Sequence, residues 1–207
     1  MFGRLISGNF RRPSGFIGRL VGNMMARGNA YEARWTVSLL DIQPGDHILE
    51  VGFGPGLAVQ LAAQKAVNGL VAGIDYSETM VRAARKRNVD TIKAGRVDLQ
   101  LGDVSSLPYP NQSFDKAYAI HCIYFWARPL EVLKELRRVL QPSGLLAVTI
   151  QPKDQWPPER TPPPDIFALY DGAEVAQLFS DAGLRDVRVE QSPEPDKFPG
   201  VCVLGVK

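Results

Sequence analysis

Between residues 46 and 151, short apolar runs alternate with longer stretches in which apolar residues return every three or four positions. Short runs rich in β-branched residues suit buried strands, and the longer period suits helices packed on them. This order therefore predicts βαβ units and a parallel sheet. Strands are expected over residues 47–51, 70–74, 97–101, 116–120 and 145–150. A helix over 55–67 stops at Asn68 and Gly69, residue types that end helices, and Ser77 is an N-cap candidate for a helix running to about Ala94. Leu130, Leu133, Leu136 and Leu140 form one apolar stripe behind Pro129, a residue suited to a first helical turn. The proline-rich stretch 151–164 excludes helix and central strand and predicts a loop. A helix over 171–182 and strands near 187–190 and 200–206 complete the chain. The last two strands are joined by a proline-containing turn with no helix between, the connection of an antiparallel pair. The expected fold is a doubly wound α/β domain whose seven-stranded, mostly parallel sheet ends in an antiparallel hairpin.

Candidate chemistry sits where the first strand meets its helix. Residues 48–56 read ILEVGFGPG: a buried strand, a glycine turn and a helix start. Such a turn lets a ligand approach backbone closely and meet unpaired N–H groups, at the crevice beyond the carboxyl ends of the strands. Gly73, Ile74 and Asp75 close the second strand about 20 residues further on, the interval at which a Rossmann-type acid meets ribose hydroxyls. A carboxylate suits a diol because it accepts two hydrogen bonds at once. Gly102 and Asp103 end the third strand in the same way.

Four segments in this order and spacing, ILEVGFGPG, GIDYSETM (73–80), GDVSSLPYPNQSFD (102–115) and RVLQPSGLL (138–146), resemble the class I S-adenosyl-L-methionine (SAM)-dependent methyltransferases. The nearest group they resemble is that of the ubiquinone and menaquinone biosynthesis C-methyltransferases and their small-molecule relatives. The resemblance implies a Rossmann-like methyltransferase fold, SAM as cofactor with S-adenosyl-L-homocysteine as product, and a small, fairly apolar acceptor reached through its O, C or N atom. It implies that Gly52, Gly54 and Gly56 pass under the ligand, with Glu50 supporting that loop or meeting the ligand amine through water. Asp75 would take the ribose hydroxyls, Tyr76 and Met80 would pack on the adenine, and Asp103 and the Val104 N–H would read the adenine edge. The main chain at Ile120 and His121 would face the methionyl amine. Family members place acceptor residues in N-terminal helices and after the fifth strand, which here correspond to Phe16, Tyr31 and Trp35, and to Trp156.

Methyl transfer from a sulfonium is an in-line displacement that needs positioning and water exclusion, with no metal required. His121, at the end of the fourth strand, is the candidate general base; the alternative is a histidine that shapes the pocket. Tyr124, Phe125 and Trp126 follow it and are candidates for an apolar acceptor wall or for core. Two other readings are a SAM-binding scaffold without activity and an NAD-binding oxidoreductase. The dinucleotide fingerprint GxGxxG is not met, because the third glycine comes one position early and position 57 is Leu. No Gly-Lys-Ser/Thr marks a P-loop, and no NPPY-like tetrad follows the fourth strand.

Composition changes little of this. Of 207 residues, 45% are hydrophobic and 22% charged, with a net charge of +2, ordinary values for one globular α/β domain. The apolar runs are too short to cross a bilayer, and the two cysteines, Cys122 and Cys202, have neither CxxC spacing nor a His/Cys neighbourhood. A cytoplasmic protein without structural metal is expected, with no nucleic-acid partner. Residues 1–40 differ: six arginines stand against Glu32 alone. Within them Phe16, Ile17, Leu20, Val21, Met24 and Met25 fall on one helical stripe, and Arg19, Asn23 and Arg27 on another. Residues 1–40 are therefore expected as a helical cap or lid on a SAM-binding domain spanning 41–207. The lid, a fixed core helix and a membrane-surface contact are the open alternatives.

Overall fold

The computed structural model describes residues 29–156 and 167–207. The expected helix over 16–27, with Phe16, and residues 157–164 of the proline-rich stretch lie outside the described residues. One sheet of seven strands organises the rest, in the order β3-β2-β1-β4-β5-β7-β6. Its strands are β1 (His47–Val51), β2 (Leu70–Asp75), β3 (Val97–Leu101), β4 (Phe114–Ile120), β5 (Leu140–Ile150), β6 (Arg185–Gln191) and β7 (Val201–Val206). β1 pairs in parallel with both β2 and β4, and β4 in parallel with β5; β7 runs antiparallel to β5 and β6. The direction of winding therefore reverses between β1 and β4, and in open α/β sheets ligands bind beyond the strand ends at that switch point.

Alternation along the strands gives the sheet two buried faces. Leu49, Val51, Ala117, Ala119, Leu146 and Val148 point into one core, with α5 (Pro129–Val139) and α6 (Gly172–Asp181) over it. Ile48, Val71, Tyr118 and Ala147 point into the other, beneath α1 (Ala30–Leu39), α2 (Leu57–Lys65) and α3 (Glu78–Arg87). α1 is part of this second layer: Trp35, Val37 and Leu40 are buried, and Thr36 Oγ1 lies 2.6 Å from Thr149 Oγ1 on β5.

Several bounds differ from the apolar pattern for local reasons. α2 begins at Leu57, not Pro55, because its N-cap Gly56 takes a left-handed φ of 79°. The helix from Ser77 breaks at Asn88, and a short α4 (Val89–Lys93) follows. The buried Asn88 amide donates to Gly56 O and Ala84 O, both at 3.0 Å, so one side chain ends α3 and ties it to the glycine turn. β6 is longer than its apolar segment because it is an edge strand with mostly exposed positions, where polar residues carry no burial signal. β3 and β4 are joined by a loop without a helix.

Candidate active site

Beyond the carboxyl ends of β1 and β4 lies a cavity of about 710 Å³. Its floor is the turn after β1, where Gly52, Gly54 and Gly56 all take positive φ. Glycine is needed at each for a different reason. A Cβ on Gly52 would fall 2.2 Å from Cys122 Sγ, so this residue lets β1 and β4 close up. On Gly56 it would strike Ala84 Cβ at 2.7 Å and Asn88 Nδ2 at 2.8 Å, so this residue packs α2 against α3, outside the cavity wall. Among the described residues a Cβ on Gly54 would meet nothing within 4 Å beyond its chain neighbours, and Gly54 lines the cavity.

Asp75 fastens this turn. Its Oδ2 accepts from Gly54 N and its Oδ1 from Ser77 N, each at 2.8 Å, which leaves further lone pairs on both oxygens. Burial outweighs those hydrogen bonds and pushes its pKa up to about 6. Glu50, buried at the end of β1, accepts from the buried Tyr118 hydroxyl at 2.7 Å. Desolvation drives it further, to about 8. Both carboxyls line the cavity. Beside them lie Tyr76, half exposed, and Met80, buried one turn into α3 behind the Ser77 cap. The loop after β3 contributes Asp103 and Val104, with Asp103 Oδ1 accepting from Ser105 N at 2.8 Å.

At the end of β4, Ile120 and His121 complete that wall. His121 has φ 56°, unusual for a residue with a Cβ. Its N–H donates to Thr149 O at 3.0 Å, and its Nδ1 is 3.4 Å from the Tyr124 hydroxyl. That hydroxyl accepts from Gln151 N at 2.7 Å and donates to Gln151 O at 3.2 Å. With the single tyrosine proton given to Gln151, Nδ1–H is the histidine's donor and Nε2 keeps the lone pair. Burial pushes the imidazole down to about 4, so it is neutral at neutral pH.

The acceptor candidates separate. Trp126 lines the cavity. Tyr124 is buried beneath it as the anchor just described, and Trp156 stacks edge-on against Tyr124 at 6.2 Å while donating to Gln151 O. Trp35 is core, edge-on to Phe198, and Tyr31 meets Ser192 and Lys197 of the β6–β7 connection. None of these four lines the cavity among the described residues. Phe125, a candidate with Trp126, lines the cavity too, and residues missed in the sequence include Phe53, Ser105 and Cys122, and Arg128, Glu131, Glu135 and Arg138 along α5. The last four repeat at helical spacing opposite the leucine stripe, a signal present in the sequence but overshadowed by it.

A methyltransferase-domain family model matches residues 49–148. An uncharacterized methyltransferase of Bacillus subtilis, YdaC, is 31% identical over 172 residues, covering 83% of this chain and 89% of that protein. The chain belongs to the class I SAM-dependent methyltransferases. A demethylmenaquinone methyltransferase of Symbiobacterium thermophilum is 38% identical over 109 residues, 52% of this chain and 43% of its own length. The crystal structure of a SAM-dependent methyltransferase from Aquifex aeolicus shares the fold, with TM-score 0.72 and 24% identity over 87% of this chain and 92% of that one. SAM is the cofactor of this methyltransferase. The lining fits such a ligand: it includes the buried carboxyls of Glu50 and Asp75, whose charged forms burial disfavours and a neighbouring cation would favour. Among the described residues no helix is long and apolar enough to cross a membrane, and no three His, Cys, Asp or Glu side chains cluster for a metal ion.

Proposed function

We propose that this methyltransferase acts on a small, fairly apolar molecule that enters the cavity beside His121, Phe125 and Trp126. The observation that carries the reading is a cavity whose lining brings glycine backbone and buried carboxyls together with aromatic rings and a neutral imidazole. SAM, when bound, supplies the electrophilic methyl on sulfur. Asp75 holds the ribose hydroxyls through its remaining lone pairs while keeping Gly54 in place. Glu50 faces the methionyl end beside the main chain of Ile120 and His121. Tyr76 and Met80 flank the adenine, Asp103 accepts its amino group, and the Val104 N–H meets a ring nitrogen. The aromatic rings keep water from the reacting centre, and a displacement with a neutral sulfur leaving group needs mainly that positioning.

His121 is a wall rather than a base in this reading, since an imidazole held near pKa 4 accepts a proton poorly. The small-molecule acceptors in the names of relatives, demethylmenaquinone among them, support the acceptor class. The experiment is a transfer assay with radiolabelled SAM over phenols, quinols, amines and RNA, beside calorimetry with SAM. Label in a phenol, quinol or small amine is expected. Label in RNA alone, or SAM binding without transfer to any acceptor in the panel, goes against the proposal.

A further inference from the structure

The loop joining β3 to β4 carries Asp103 and Val104 into the cavity and contains no helix of its own. Two side chains of α5 hold it instead. Glu135 Oε1 accepts from Leu107 N at 2.9 Å. Arg138 Nη2 donates to Leu107 O at 3.2 Å, and its Nη1 to Tyr109 O at 2.9 Å and Asn111 Oδ1 at 2.8 Å. The same guanidinium donates Nε to Glu135 Oε2 at 2.7 Å and Nη2 to Glu135 Oε1 at 2.8 Å. A guanidinium has five N–H donors in a fixed fork, and here all five have an acceptor. The two side chains therefore fix both the N–H and the C=O of Leu107, a buried residue three positions past Val104.

We propose that Glu135 and Arg138 are positioning residues for nucleobase recognition. They fix the β3–β4 loop so that the Asp103 carboxylate and the Val104 N–H meet the adenine edge in register. The inference rests on the assignment of Asp103 to the adenine amino group under Proposed function. It adds that selectivity for adenine is set from α5, by side chains that need not touch the base. A generic surface ion pair contributes little. This pair differs because it binds loop backbone at three successive points, and a lysine ammonium cannot reproduce the planar fork.

The test is calorimetric titration of the full-length protein with S-adenosylhomocysteine and with its hypoxanthine counterpart, in which a carbonyl oxygen replaces the amino group. Hydrogen bonds to a charged acceptor predict a wild-type preference for adenine of about 10-fold or more. Arg138→Lys is expected to bring that ratio toward one, chiefly by weakening the adenine compound, with the melting transition retained. Asn111→Ala, at an exposed position, is expected to lower the ratio less and decides the matter if Arg138→Lys does not fold. An unchanged ratio in the folded Arg138→Lys protein, or failing that in Asn111→Ala, overturns the positioning role. Asp103→Ala separates the two failures. If it collapses the ratio while the α5 variants do not, only the inference falls; if it too leaves the ratio unchanged, Asp103 does not read the base and both readings fall.

Discussion

Loss of water acts oppositely on the titratable groups of β1 and β2 and on the histidine at the end of β4. At the β1–β2 end, burial raises Glu50 to about 8 and Asp75 to about 6. At the β4 end the same loss of water lowers His121 to about 4. Desolvation disfavours whichever form is charged, so it pulls carboxyls up and imidazoles down. The carboxyls are left able to respond to an arriving cation, and the imidazole stays neutral. The ends also differ in construction. The first is backbone geometry, a glycine turn fastened by Asp75 at the end of β2 and Asn88 at the end of α3; the second depends on rings and hydrogen bonds from three separate segments, through Tyr124, Gln151 and Phe198.

The largest effect expected is at Gly54. Gly54→Val should leave a folded protein, because among the described residues a Cβ there meets nothing within 4 Å beyond its chain neighbours. It should nevertheless weaken SAM by about 100-fold or more, since the side chain takes ligand space and the backbone strains at positive φ. Gly52→Val should do the reverse and unfold the domain against Cys122 Sγ. Calorimetry beside thermal melts distinguishes them; normal SAM affinity in Gly54→Val would make the glycine turn only a turn.

Next comes Asp75. Asp75→Asn should weaken SAM about 10-fold to 100-fold, the loss of charged hydrogen bonds to the ribose. Asp75→Ala should also lower the melting temperature, because the N–H groups of Gly54 and Ser77 lose their acceptor. Unchanged SAM affinity in a folded Asp75→Asn protein would remove this carboxylate from the ribose.

The contrast in pKa can be read directly. A carboxyl whose pKa is raised in the folded state binds extra protons there, so its contribution favours folding at low pH and is lost as pH rises through the folded value. For Glu50 that window runs from about 4.5 to about 8. Asp75 is half titrated at about 6, and a lowered His121 acts with opposite sign between about 4 and 6.5. Closer to its own value of about 8, Glu50 is the main one of these three still titrating, so there the ligand-free protein should melt lower as pH rises, and Glu50→Gln should flatten that slope. SAM binding near neutral pH should release protons, visible as a binding enthalpy that depends on the buffer's ionisation enthalpy. A buffer-independent enthalpy would show that Glu50 does not respond to the cation.

The smallest effect should be at the other end. His121→Gln is expected to reduce transfer by less than about 10-fold, whereas loss of a general base removes roughly 100-fold to 10,000-fold. A loss in the larger range in kcat, with a pH–rate limb near 4 that the variant lacks, would make His121 a base.

Legibility in the sequence followed the same division. Strands β1 and β3 match their apolar runs residue for residue, and Asp75 and Asp103 were recognisable as strand-ending acids. β4 was expected two residues late and β5 five, because Phe114 and Leu140 pair across a bulge and the intervening turn residues break the apolar run. The third glycine fits the motif but plays a different part, because Gly56 belongs to the α2–α3 contact through Asn88. Tyr31, Trp35 and Trp156 were aromatic in the right segments, but nothing local tells a side chain aimed at a cavity from one aimed at Phe198 or Tyr124.

The order of strands, the glycine turn and the acids that end β2 and β3 were determined by the sequence alone, because periodicity, turn chemistry and motif spacing act over a few residues. The tertiary structure decided which glycine faces open space, which aromatics became core, and that α5 rather than a local turn holds the β3–β4 loop. Those outcomes depend on contacts between residues far apart in the chain, such as Leu107 with Arg138 or Gly52 with Cys122. The shifted pKa values belong with them, since desolvation is a property of everything packed around a group and not of its neighbours in sequence.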